Sequence, residues 1–208
     1  MRKKETKQFI PAARFHILTP LFDSLLSLFG LGKKYRDFVL KHIEITNPNA
    51  KVLDAGCGTG TLAMELLQKH PGIHFNGVDA DEKILTIARK KTSKIKFSKA
   101  FLQKLPFEDD SFDIIYSSLV FHHIPSKDKV KSMKEIYRVL KSDGYFLLSD
   151  FGKPKNIFLA VFSWFTMFFE EGYDNYHGKI PLMLKEAGFH VEEVARYKFN
   201  LSLLKCGK

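Results

Sequence analysis

The chain has 208 residues, 45% of them hydrophobic and 27% charged. That is the balance of a folded globular protein of about one domain, and it excludes wholesale disorder and a large multidomain machine. Lys and Arg number 33 against 23 Asp and Glu, a formal charge of +10, which favours acidic partners such as phospholipid headgroups or nucleic acid. Only six of the basic residues are Arg, and the lysines are spread along the chain. That is a poor footprint for specific nucleic-acid reading, so nucleic acid is not the expected partner. Two readings of the charge remain: a solvated face, or peripheral contact with an anionic membrane. Cys57 and Cys206 are the two cysteines, too few for a disulfide framework or a cysteine zinc site. The N-terminus lacks a signal-type apolar stretch, and the longest apolar run, 157–169, has 13 residues where a spanning helix needs roughly 17–25. A cytoplasmic, reduced, non-spanning protein is expected.

Residues 1–14 are polar and basic and read as a loose arm. Residues 15–31 place Leu18, Leu21, Phe22, Leu25, Leu26 and Phe29 at helical spacing, and a second helix is expected over 33–43. From Lys51 strands and helices alternate. KVLDA (51–55) is a buried-type strand, followed by a glycine turn and a helix from Thr61. IHFNGVD (73–79) is a second strand, followed by a helix with Ile84, Leu85 and Ala88 on one face. IKFS (95–98) and FDIIYSS (112–118) are the third and fourth strands. A helix over 130–140 is expected to stop at Ser142-Asp143-Gly144, before a fifth strand at 145–151. Alternating units of this kind predict a parallel sheet with helices on both faces. Pro181 and Gly188 bracket a last helix. Strands at 189–196 and 199–205 then come in direct succession, which fits an antiparallel hairpin.

VLDAGCGTG (52–60) is the most informative stretch. Gly56, Gly58 and Gly60 let a ligand approach the backbone between strand and helix. The spacing is G-x-G-x-G, not the dinucleotide G-x-G-x-x-G, and no P-loop Lys is present. Asp54 beside a pyrophosphate would be unfavourable, whereas a ligand carrying an ammonium group would welcome it. Asp79 ends the second strand, where an acid accepts hydrogen bonds from ribose hydroxyls. Its competing reading is a helix N-cap, a role that Asp81 could fill instead. An adenosine ligand with an ammonium group means S-adenosylmethionine (SAM).

VLDAGCGTG, GVDAD, KLPFEDDSFDIIYSSLVFHHI and KEIYRVLKSDGYFLLSDF resemble the successive motifs of the class I SAM-dependent methyltransferases. More narrowly, they resemble the branch holding the menaquinone/ubiquinone-biosynthesis C-methyltransferases. The resemblance covers about 50–151. It implies a Rossmann-like α/β fold with a seven-stranded sheet of order 3-2-1-4-5-7-6 and an antiparallel last strand. It also implies one methyltransferase domain over 1–208: arm and cover helices at 1–45, the SAM-binding core at 50–151, an apolar lid insertion at 152–178, and a C-terminal helix and hairpin at 179–208. SAM is the implied cofactor and S-adenosylhomocysteine its product.

By the same resemblance Asp54, Ala55, Gly56, Cys57, Gly58 and Gly60 would surround the methionine end of SAM. Asp79 would hold the ribose and Ala80 would lie beside the adenine. Ser117, Ser118 and Leu119 would end the fourth strand beneath the methionyl group, with Phe22 as a cover residue. The family commonly carries an acid where this chain has Phe101, so the adenine edge would fall to the Leu102 backbone and Gln103, or to apolar stacking.

Methyl transfer from a sulfonium disperses positive charge, so a dry chamber that aligns donor and acceptor supplies much of the catalysis. His122 and His123 are the candidate general bases, each weighed against a packed pocket-wall histidine. Glu170, Glu171, Tyr173 and His177 are weaker candidates. Phe158, Phe162, Phe165 and Phe169 form a helical stripe that suits either mutual packing or an apolar substrate chamber. No metal-ligand spacing appears, and neither cysteine reads as a nucleophile. The expected function is methylation, at carbon or oxygen, of a small apolar or aromatic acceptor of quinol or lipid type. An RNA or protein methyltransferase and a non-catalytic SAM-binding module are the alternatives. The sequence leaves the oligomeric state open.

Overall fold

A computed structural model describes residues 31–155 and 171–208. Phe22, the phenylalanine stripe and all of the expected helix at 15–31 except Leu31 lie outside the described residues. Within them, α1 (Lys33–Lys41) precedes β1 (Lys51–Ala55), α2 (Thr61–Lys69), β2 (His74–Asp79), α3 (Glu82–Lys91), β3 (Lys96–Lys99) and β4 (Phe112–Ser118). A 3-10 turn at Phe121–His123 leads into α4 (Ser126–Val139) and β5 (Leu140–Phe151). After the insertion come α5 (Tyr173–Tyr176), α6 (Ile180–Glu186), β6 (His190–Tyr197) and β7 (Leu201–Gly207).

The seven strands form one sheet of order β3-β2-β1-β4-β5-β7-β6. β1 to β5 run parallel, with Val52 opposite Phe75 on one side and Ile114 on the other. β7 enters antiparallel between β5 and β6. Successive strand residues point to opposite faces, and that alternation splits the apolar residues into two layers. Leu53, Ile115, Phe146 and Leu148 pack with Met133 and Ile136 of α4 and Leu184 of α6. Val52, Ile114, Tyr116 and Leu147 pack with Tyr35 and Val39 of α1, Leu66 of α2 and Leu85 of α3. Burial on both faces is why these strands read as apolar runs.

β1 and β4 occupy the predicted spans, and the other strands lie within one or two residues of theirs. The exception is the start of β5. Ser142-Asp143-Gly144 does not separate helix from strand: α4 runs from Ser126 to Val139, and the strand begins at Leu140. Leu140 is fully buried and pairs with Phe112, after which the register shifts so that Ile114 meets Tyr145. The polar triplet is the irregularity inside the strand. Gly144 is required there, because a Cβ would sit 2.6 Å from the Asp113 carbonyl oxygen.

Candidate active site

The carboxyl ends of β1, β2 and β4 open into a cleft of about 200 Å³, where ligands bind in sheets of this kind. Its floor is the turn after β1. Gly56 has φ +90°, and a Cβ on it would fall 2.4 Å from Val120 Cγ2. Only glycine lets the turn come so close to the exit of β4. The Gly56 and Cys57 N–H groups donate to the Val78 carbonyl at 2.8 and 2.9 Å, tying the turn to β2.

Asp79, at the tip of β2, fastens the same turn from the other side. Its Oδ2 accepts the Gly58 N–H and its Oδ1 the Asp81 N–H, each at 2.9 Å. Asp81 caps α3 by accepting the Lys83 N–H at 2.9 Å, so the capping role falls to it and Asp79 faces the cleft. Burial raises the Asp79 carboxyl pKa above its usual range. Asp54 is buried and accepts the Tyr116 hydroxyl at 2.8 Å. Burial pushes its pKa up to about 7; the Tyr116 hydrogen bond opposes that shift and the nearby Asp79 charge adds to it. Both acids line the cleft, and neither forms an ion pair among the described residues. Such a site repels phosphates and suits a ligand that brings an ammonium group and hydroxyl donors.

The opposite wall is built from β4, β5 and the 3-10 turn. The Tyr35 hydroxyl shares hydrogen bonds with Ser118 Oγ and Ser149 Oγ, both 2.8 Å. Leu119 is held at φ +59°, a conformation costly for a branched residue. Its N–H is anchored on the Ser149 carbonyl at 2.9 Å. Asp150 organises the 3-10 turn. Its carboxylate accepts the Phe121 N–H, the His122 Nδ1–H and its neighbour Phe151 N–H, each at 2.7 Å, and the His122 N–H at 3.3 Å. Burial works against its charge, yet His122 and these donors hold its pKa below the usual carboxylate range. The His122 and His123 rings stack with centroids 4.0 Å apart.

The structure separates the two candidate bases. His123 lines the cleft; burial, helped by the neighbouring His122, lowers its pKa to about 3, so it is neutral at ordinary pH. His122 is buried behind it, fixed on Asp150 and edge-on to Phe151, and does not line the cleft. Glu171, Tyr173 and His177 are also absent from the lining, and Tyr173 and His177 are exposed. Glu170 lies outside the described residues.

Asp54, Gly56, Cys57, Gly58, Asp79 and Ala80 line the cleft. Phe101, Leu102 and Gln103 meet them from the loop after β3, and Ser118 and Leu119 from β4. Ala55, Gly60 and Ser117 do not line it. Ala55 is buried, with its carbonyl accepting Ser117 Oγ at 2.6 Å, and Gly60 abuts the Phe97 ring. Strand alternation explains the Ser pair, since Ser117 and Ser118 point to opposite faces. Sequence reasoning missed Tyr35 and Arg36 of α1, and also Thr59, Val120, Ile124 and Pro125. Arg36 is held by Glu65, with Nε 2.9 Å from Oε1. Thr59 lies within VLDAGCGTG and Val120 within SSLVFHHI, so both were within reach of the sequence. Nothing local in GKKYRDF marks Tyr35. The Cys57 thiol is buried and its pKa is raised by that burial. Among the described residues no group of His, Cys, Asp or Glu is placed to hold a metal ion.

The sheet order, the antiparallel β7 and the acid-lined cleft at the strand ends define a Rossmann-like α/β protein with its ligand site at the carboxyl ends of the strands. The family described as "Methyltransferase domain" matches residues 52–144. The ubiquinone/menaquinone biosynthesis C-methyltransferase UbiE of Rickettsia bellii is 31% identical, over 96% of this chain and 91% of that protein. The protein of the same description from Geotalea daltonii is 29% identical over 68% of this chain, which spans 63% of that relative's length. A SAM-dependent methyltransferase from Aquifex aeolicus has the same fold, with TM-score 0.67 and 21% identity over 90% of this chain and 95% of that one. The chain belongs to the class I SAM-dependent methyltransferases, on the branch that contains the UbiE enzymes.

Proposed function

We propose that this methyltransferase acts on a small acceptor with an apolar or aromatic body, of quinol or lipid type, at carbon or oxygen. The observation that carries the reading is the wall facing the two acids. Leu119, Val120, Ile124 and Pro125 make it apolar, and His123 is a polar group set among them. The UbiE relatives are described as C-methyltransferases of quinone biosynthesis, which supports the same acceptor class.

When bound, SAM supplies an electrophilic methyl group on a sulfonium. Asp79 offers carboxylate oxygens to the ribose hydroxyls, and Asp54 offers its carboxylate to the ammonium group. The Gly56–Gly60 turn accommodates the methionine end, while Ala80, Phe101, Leu102 and Gln103 surround the adenine. Ser118 and Leu119 close the chamber beneath the reacting centre. His123, neutral at ordinary pH, offers a ring nitrogen that accepts a hydrogen bond from the acceptor and orients it. With a pKa of about 3 it is too weak a base to deprotonate a resting quinol or phenol. The proton it takes is the strongly acidic one that the acceptor must shed once methylated. His122, held by Asp150, fixes the turn that carries His123. An apolar chamber favours a reaction in which positive charge disperses.

The test is label transfer from methyl-labelled SAM to a panel of quinols, phenols, RNA and protein. Label in the quinol or phenol fraction supports the reading. Label confined to RNA or protein, or tight SAM binding with no transfer to any acceptor, overturns it.

A further inference from the structure

Lysines that look dispersed in the sequence come together on one edge of the fold. Residues 82–104 hold eight basic side chains and one acid, a net charge of +7 against +10 for the whole chain, which leaves +3 for the other 185 residues. This segment comprises α3, the outer strand β3 and the start of the loop after it. Lys83, Lys90, Lys94, Lys96, Lys99 and Lys104 are all exposed, and none has an acid within ion-pair distance among the described residues. Arg89 is engaged with Glu82 and the Phe97 carbonyl, and Lys91 donates to Thr61 Oγ1. Several acids elsewhere are paired locally: Asp109, Asp110 and Asp113 pair with Arg138, Lys208 and Lys141. β3 pairs only with β2 and is therefore a sheet edge. Lysines on such an edge block unwanted strand pairing, but of the six only Lys96 and Lys99 lie on β3 itself.

We propose that this lysine edge docks the protein on a membrane surface rich in anionic phospholipid. Six free ammonium groups on one edge fit a diffuse layer of headgroup charge, which attracts each Lys near the surface without needing fixed geometry. Specific nucleic-acid reading would use Arg forks and exposed aromatic rings. The one Arg here is already engaged, and the exposed large apolar side chains of the described residues, Tyr173 and Leu182, lie elsewhere. One end of the edge, at Lys83, Lys99 and Lys104, adjoins the cleft mouth, and Lys90, Lys94 and Lys96 continue it toward the amino end of the sheet. Ile84 of α3 and Phe101 and Gln103 after β3 belong to both the segment and the cleft lining, and Asp81, the cap of α3, lines the cleft at the segment's border. Docking there sets the opening beside the bilayer, where an apolar acceptor of the class proposed above dissolves. This purpose rests on that acceptor reading, whereas the docking itself does not.

The experiment is flotation of the full chain with vesicles of phosphatidylcholine alone, or of phosphatidylcholine with 30% phosphatidylglycerol. Binding is expected only to the second, weakening steeply with salt. Replacing Lys90, Lys94, Lys96 and Lys99 together by Gln should weaken it about 100-fold. Replacing the exposed Lys127, Lys131, Lys134 and Lys185 together by Gln should change it less than about fivefold. Equal loss in both variants would show that net charge alone attracts the protein, and the localised edge would be wrong. Displacement from anionic vesicles by an equal phosphate concentration of poly(U) would make nucleic acid the better partner and overturn the proposal. SAM affinity, measured by calorimetry on the same variants, should stay unchanged. If it does while vesicle binding persists but quinols accept no label, the acceptor reading fails and the docking surface stands.

Discussion

Around Gly56–Gly60 the cleft wall is mostly backbone: a turn fixed by N–H groups on Val78 and Asp79, with two carboxyls beside it. Around Ser118–Pro125 it is mostly side chain: hydroxyls from α1, β4 and β5, and a histidine turn hung on one buried carboxylate. The first wall depends on a backbone path that few residues can follow. The second depends on pairings among residues far apart in sequence. A ligand common to a whole family is suitably met by the first kind, because backbone groups do not change with substitution. An acceptor that differs between relatives is suitably met by the second, where one side-chain change reshapes the surface.

The largest expected effect breaks the backbone wall. Gly56→Ala adds a Cβ 2.4 Å from Val120 at positive φ. It should cut SAM affinity by about 100-fold or more and lower stability by about 2–4 kcal/mol. Adding Val120→Ala should recover part of both; full recovery would mean that the clash matters and the backbone conformation does not. Next, Asp150→Asn removes the carboxylate that gathers the histidine turn. A loss near 3 kcal/mol in urea unfolding is expected, with less than about threefold change in SAM affinity. Because the Asp150 pKa is depressed when folded, its contribution is present above pH ~4 and is lost as pH falls further.

Asp79→Asn should weaken SAM binding about 10- to 100-fold in calorimetry, since a charge-assisted hydrogen bond is worth about 1.5–3 kcal/mol. An unchanged affinity would remove Asp79 from the site. A smaller effect appears in the pH dependence. Asp54 holds its proton up to about pH 7, and binding an ammonium group favours the deprotonated form. SAM affinity should therefore fall as pH drops below 7, by up to about tenfold per unit, and Asp54→Asn should flatten that slope. His123 acts on stability with the opposite sign to Asp54. Its pKa is about 3 when folded against about 6.5 unfolded, so it costs stability as pH falls below 6.5. Asp54 costs stability as pH rises from about 4 to about 7. Unfolding measured at pH 4.5 to 8 for Asp54→Asn and His123→Asn should resolve the two slopes. Least of all, Tyr35→Phe should cost about 1 kcal/mol, because Ser118 and Ser149 lose their shared partner.

Residues 50–80 were legible because strand, turn and cleft lining are contiguous there. VLDAGCGTG specifies a buried strand and a turn needing positive φ, and the structure shows both. The SDG triplet misled because turn chemistry was weighed without its neighbour. Burying Leu140 against Phe112 favours continuing the strand, and the polar residues bulge instead. Ser117 and Ser118 looked equivalent in the sequence, and only the pleat assigns one to the core and the other to the cleft. His122 and His123 likewise differ only through Asp150, 28 residues away.

The sequence by itself determined the alternating strands and helices, the glycine turn, the acids at the tips of β1 and β2 and the charge excess. Each of these depends on periodicity, on local backbone freedom or on simple counting. The tertiary structure alone decided that Tyr35 meets Ser118 and Ser149, that His123 rather than His122 reaches the cleft, and that scattered lysines share one edge. Those outcomes depend on which side chains the packed sheet brings within a few ångströms of one another, and separation along the chain does not encode that distance.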